Sequence, residues 1–240
     1  MPKIKRKRKK KPTEPDEFIT FSQRAIAWAK ANIKLIVIVS LAVVVIVGAV
    51  VGVRTYLQRR AVAATEQLGP LLGEWYQLSA STDSKRLKPL AGRLERFCAS
   101  YGSTPAGMQG RMVWGAVLVR LGEYSKAVKV LEELADEPSL PKELKPLVLY
   151  ELGVALEGKG EPGRAAQVYA RAAEAGGPYL GRPWLLDQAR ALEAAGKKQE
   201  AADIYRRLAK APERELAWEA KRHLALMGID PEGGSGSGSK

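Results

Sequence analysis

Side chains able to do chemistry are scarce in this chain. Its 240 residues include one cysteine, Cys98, and one histidine, His223. A single thiol forms no intramolecular disulfide, and no cysteine–histidine spacing holds a zinc ion. Nucleophilic hydrolysis needs a base, usually histidine, beside its nucleophile. The only histidine stands in the charged stretch Lys221-Arg222-His223, read as solvated surface. A phosphate-cradling P-loop, a dinucleotide fingerprint and an HExxH motif are all absent. Neighbouring acids such as Glu132-Glu133 read as a solvated helix face. No catalytic, cofactor-binding or metal-binding residue is assigned, and the chain is expected not to be an enzyme. Runs of alternating polarity are also missing, which argues against strands. Cys98 is expected to be a small packed side chain.

Acidic residues are scarce only in the first quarter. Residues 1–60 carry 14 Lys/Arg against three acids, a net of +11. The other 180 residues carry 25 basic and 23 acidic side chains. The high pI therefore describes the N-terminal segment and not the body of the protein. Residues 2–12, PKIKRKRKKKP, are too charged to collapse. The basic run 3–11 is expected to attract anionic lipid headgroups or to act as a topology signal. A nucleic-acid role is not expected, because the excess charge adjoins an apolar run.

That run, Leu35–Val53, is LIVIVSLAVVVIVGAVVGV, 19 residues without a charge. At 1.5 Å per residue it spans about 28 Å, the thickness of a hydrocarbon core. It is too long, and too far from the N-terminus, for the core of a cleaved signal peptide. A transmembrane helix over 34–54 is expected. The excess of Lys/Arg before it predicts a cytoplasmic N-terminus. Before it, residues 17–33 predict a short amphipathic helix with Phe18, Phe21 and Trp28 on one face, suited to the headgroup level. Phe18, Phe21, Trp28, Leu35 and Val53 are the membrane-anchoring candidates. Gly48 and Gly52 stand four apart, a spacing that leaves room for an oligomer in the bilayer.

Beyond the span the sequence repeats itself. WGAVLVRLGEYSKAVKVLEELA from Trp114, LGVALEGKGEPGRAAQVYARAA from Leu152 and QARALEAAGKKQEAADIYRRLA from Gln188 align without gaps. Gly122, Gly160 and Gly196 mark the turns. Ala127, Ala165 and Ala201 follow, then Leu131, Tyr169 and Tyr205. Glycine relieves the end of a first helix, alanine admits the second helix closely, and the larger residues fill the space between pairs. Pro138, Pro141, Pro178 and Pro212 punctuate the ends of second helices. The expected fold is all-α: one N-terminal transmembrane helix and an α-solenoid over 61–228. Clear repeats cover about 108–141, 146–179 and 182–212, and a closing helix covers 214–228. Residues 61–80 and 87–100 form a worn pair upstream. Gly69-Pro70 is expected to break the helix that leaves the membrane. The Gly/Ser-rich tail 229–240 and the tail 1–16 are expected to be flexible.

These landmarks resemble the tetratricopeptide repeat, best in Leu152, Gly153, Leu156, Gly160, Ala165, Tyr169 and Ala172. The third copy departs, with Gln188-Ala189 in place of Leu-Gly. With Asp16-Glu17-Phe18 before the anchor and Tyr101-Gly102-Ser103-Thr104-Pro105 before the first repeat, the organisation resembles the ancillary SecYEG translocon subunit, or YfgM-like, family of bacterial inner-membrane proteins. That resemblance implies a domain in the periplasm, and partners in the Sec translocon, periplasmic chaperones or other envelope proteins. In tetratricopeptide repeats the second, fifth, ninth and twelfth positions face a concave groove. Carried over, the partner-binding candidates are Met112, Val119, Leu147, Tyr150, Val154, Leu186 and Arg190, with Arg120 beside them at the edge of the apolar strip. The expected function is a membrane-anchored adaptor for the translocon or for chaperones. The alternative is a scaffold subunit of another envelope complex.

Overall fold

The computed structural model describes residues 17–78 and 83–230, excluding the side chains of 17–20 and 179. The basic run 3–11 and nearly all of the C-terminal tail lie outside the described residues. The chain divides into two units, Met1–Leu57 and Gln58–Lys240.

The first unit contains α1 (Glu17–Ala31) and the beginning of α2 (Ile33–Leu78). The backbone ladder passes through Asn32: its N–H donates to Trp28 O at 3.0 Å, and Ile36 N–H donates to Asn32 O at 3.0 Å. α2 is, among the described residues, the one helix long and apolar enough to cross a membrane. Leu35, Val53 and the apolar residues between them are exposed, apart from the half-buried Ile36. In water, a helix apolar all round has no face to turn outward; in lipid every face suits.

In the second unit α2 runs on to Leu78, through Gly69-Pro70. The expected break does not occur. Proline removes one helical bond, but Gly69 and Pro70 are exposed, so the released carbonyl meets solvent. The opposite face is held by packing. Ala64, Leu68, Leu71 and Leu78 bury against Leu87, Leu90, Leu94 and Phe97 of α3 (Ser84–Tyr101). Spacings of three, four and seven keep both apolar stripes in one seam. Arg60 Nη2 donates to Ser100 O at 2.6 Å, and Gln67 Nε2 donates to Tyr101 Oη at 3.0 Å.

Five further segments complete the unit: α4 (Pro105–Arg120), α5 (Tyr124–Ala135), α6 (Lys145–Gly158), α7 (Pro162–Ala194) and α8 (Lys198–Leu208), before α9 (Arg214–Leu226). α7 is two arms. Gly177, at φ 66° and ψ −166°, takes a conformation closed to other residues and turns the chain. The antiparallel pairs are therefore α4 with α5, α6 with the first arm of α7, and the second arm of α7 with α8. No strand occurs among the described residues.

The turn inside each pair is one recurring structure. Gly122 N–H donates to Val119 O and Glu123 N–H to Leu118 O, at 3.0 and 2.9 Å. Gly160 and Glu161 repeat these bonds, as do Gly196 and Lys197. The glycines have φ of 76°, 84° and 79°. This double bond satisfies the last carbonyls of a helix and needs a left-handed residue. The same motif closes α9: Gly228, at φ 70°, donates to Ala225 O, and Ile229 N–H donates to Leu224 O. In its ending, α9 is like the first helices of the three pairs. Its Lys221 stands where the earlier pairs have Gly115, Gly153 and Ala189, the small residues that admit a second helix.

Close approach explains those small residues. A Cβ on Gly115 would lie 2.6 Å from Leu131 Cγ, and one on Gly153 would overlap the Tyr169 ring. Leu131, Tyr169 and Tyr205 are the fully buried pegs of α5, α7 and α8.

Candidate functional site

The first helix of each pair lies next to the first helix of the following pair: α4 by α6, α6 by the second arm of α7, and that arm by α9. Their outward residues form one continuous face. Met112 and Val119 of α4 are half-buried on the core, and Arg120 is exposed at the helix end. Leu147 is exposed, while Tyr150 and Val154 of α6 are half-buried beside it. Arg190 is exposed, and its Nη1 donates to Asp187 Oδ1 at 3.1 Å.

Leu186 corrects the sequence expectation. It is 7% exposed and belongs to the core of the repeats. The turn at Gly177 sets the second arm so that Leu186 enters the core. Its neighbour Trp184 lies under the face, its ring stacked on Tyr150 at 5.2 Å and 23°. Tyr150 also meets Tyr169 at 5.7 Å. The centre of the face is thus an aromatic group from three helical segments, with Tyr150 outermost. Trp184 and Asp187 were not singled out in the sequence. Trp184 lies two residues before, and Asp187 one after, the fifth position of the third repeat, displacements that no spacing rule contains.

Two carboxylates in this face serve the fold. Tyr169 Oη donates to Glu157 Oε2 at 2.6 Å, and Tyr205 Oη donates to Glu193 Oε2 at 3.1 Å. Both acids occupy the twelfth position of their repeat. Burial, and then the adjacent carboxylate, pushes both phenols above their ordinary value, so they stay protonated donors. Burial also raises Tyr150, Asp187 and Glu151. Arg120 opposes the rise of Glu151, and Arg190 that of Asp187.

His223 is not the solvated side chain that its neighbours suggested. Its ring stacks on Tyr205 at 4.8 Å and 11°, with Nδ1 3.2 Å from Glu193 Oε2. Lys221 and Arg222 point outward while His223, one position on, packs inward. Cys98 is half-buried, and burial pushes its thiol up to about 12 against the opposing charge of Arg111. Among the described residues, no group of three or more His, Cys, Asp or Glu could hold a metal ion. Of the membrane-anchoring candidates, Phe21, Trp28, Leu35 and Val53 are exposed; the side chain of Phe18 lies outside the described residues.

Two family models, each described as tetratricopeptide repeat, match the chain at residues 113–179 and 185–213. The chain contains tetratricopeptide repeats. The first match takes in the second half of α4, all of α5 and α6, and the first arm of α7; the second takes in most of the other arm and all of α8. The fold is an all-α solenoid of this type with one candidate membrane helix. Repeats of this kind are protein-interaction modules, and no enzyme family matches. Neither a curated protein nor a solved structure matches the chain.

Proposed function

We propose that this protein is a membrane-anchored adaptor whose repeat domain docks other proteins on the face of its first helices, and that it is not an enzyme. The observation that carries the reading is the aromatic group under Tyr150. Half-buried aromatic and apolar side chains on a helical surface supply contact area at low entropic cost. Leu147, Val154, Met112 and Val119 extend the apolar strip, with Arg120 and Arg190 at its edges.

The membrane assignment follows from charge and length. The helix over 34–54 spans the bacterial inner membrane, with the basic N-terminus held in the cytoplasm and the repeats in the periplasm. Phe21 and Trp28 sit at headgroup level, and residues 3–11 meet anionic lipid. The partners are the Sec translocon and periplasmic chaperones, in keeping with the resemblance to the ancillary translocon subunits. A scaffold role in another envelope complex rests on the same surface.

Purification of the full-length protein from its native membranes in mild detergent tests this reading. Recovery of the translocon core together with folding factors supports it. A different envelope complex keeps the anchor and replaces the function. Cytosolic partners on the repeats overturn the orientation. The paired substitution Met112→Ser with Leu147→Ser removes the recovered partner while the helical content stays. Unchanged recovery by the well-folded variant refutes docking on this face.

A further inference from the structure

We infer that a second copy of this chain docks on α9, so that the protein forms a reversible two-fold dimer through its last helix. Capping elements of repeat arrays normally turn a polar face to solvent. α9 instead exposes Trp218 at 63% and Leu226 at 75%, with Leu216, Ala220 and Leu224 turned inward. Trp218 occupies the fifth position, the same place in its helix as Met112, Tyr150 and Leu186. Those three are half-buried or buried, because the following pair covers them. Nothing follows α9 among the described residues to cover Trp218.

The charges of α9 say what fits there. In an antiparallel two-fold pair each edge of a helix meets the same edge of its partner. One edge of α9 carries the exposed Glu215 and the half-buried Glu219 in its first half and the exposed Arg222 in its second. Turned about a two-fold near residues 219–220, that edge sets both acids of one copy beside Arg222 of the other, twice over. Trp218 then lies at the centre, against the Lys221-Arg222 turn of the second copy. Arg222 already holds its guanidinium over Trp218 of its own chain, 5.4 Å from the ring. The cation is thus poised for a second aromatic face. Glu219 Oε1 lies 3.7 Å from Arg222 Nη2 within the chain, too far for a good hydrogen bond, so the guanidinium has donors to spare. A helix of 13 residues covers less than a standard interface, in keeping with a weak, reversible dimer.

Sedimentation equilibrium of the full-length protein in density-matched detergent tests the inference. The wild type is expected to move from monomer to dimer as concentration rises to about 100 micromolar. Trp218→Asp and Arg222→Glu each weaken the dimer by about tenfold or more, without loss of helical content, because both side chains face solvent. An Arg222→Glu copy mixed with a Glu215→Lys/Glu219→Lys copy regains a heterodimer, since the reversed charges attract again. A wild type that stays monomeric throughout overturns the inference. So does a dimer that Trp218→Asp leaves intact, which would place self-association elsewhere, as at Gly48 and Gly52 of the membrane helix.

Discussion

Tyr169 and Glu157 are joined across one helical pair by a 2.6 Å hydrogen bond, and Tyr205 and Glu193 are joined in the same way one pair later. Each bond links the twelfth position of a first helix to the buried peg of the second. In the first pair the same places hold Val119 and Leu131, a purely apolar contact. The acids are what allow tyrosine, with its hydroxyl, to serve as a peg.

Tyr169→Phe leaves Glu157 without its hydrogen-bond donor and is expected to destabilise the domain by about 1–2 kcal/mol. Tyr205→Phe costs less, because Glu193 keeps His223 beside it. Thermal unfolding of the two variants, followed by circular dichroism, ranks them. Equal losses would mean that His223 does not support Glu193.

Gly153→Val drives a branched side chain into the Tyr169 ring. Overpacking of this kind costs about 1–3 kcal/mol, a fall in Tm of about 3–10 °C for a domain of this size. Gly163 is the control: a Cβ there meets only Ala195 Cβ, at an ordinary 3.9 Å. Gly163→Ala, near the start of α7, is expected to hold or raise Tm.

The Cys98 thiol, pushed up to about 12, is protonated at neutral pH. The thiolate is the reacting species, so maleimide labelling of the folded protein at pH 7.5 should run at least about tenfold slower than in denaturant. Labelling at the unfolded rate would show that the segment around Cys98 opens freely.

Asp187 and Glu151 set a pH dependence. Burial raises both folded pKa values above their usual 3.8 and 4.5. The folded state therefore binds more protons than the unfolded state between the two values. Its stability rises as pH falls from neutral through the raised pKa values, and levels off below the usual ones. Glu161 and Glu213 are lowered, by the Lys159 hydrogen bond first in one and a backbone hydrogen bond first in the other, and they act in the opposite sense at lower pH. Melting curves should show a maximum at mildly acidic pH. Asp187→Asn with Glu151→Gln flattens its neutral side; an unchanged profile would remove these two groups as its source.

Much of the fold was legible before any coordinates. Gly122, Gly160 and Gly196 marked the turns because only a left-handed residue closes a helix that way, and that demand is local. The long apolar helix was legible from composition and length alone. Pro70 misled for the converse reason. Its cost is local, but the seam of Leu68 and Leu71 against Leu90 and Leu94 repays it from another helix. His223 misled because a sequence shows the charges beside it and not the ring of Tyr205, eighteen residues earlier.

The sequence by itself determined the apolar helix, the period of the repeats and the small residues where helices touch, since each answers to backbone geometry or burial along a few turns. Only the tertiary structure decided which face each repeat turns outward. The kink at Gly177 rotates one helix arm as a body, burying Leu186 and setting Trp184 under Tyr150, and α9 carries Trp218 exposed to solvent. Those outcomes depend on how whole helices cross, and the crossing is a sum over contacts between residues far apart in the chain.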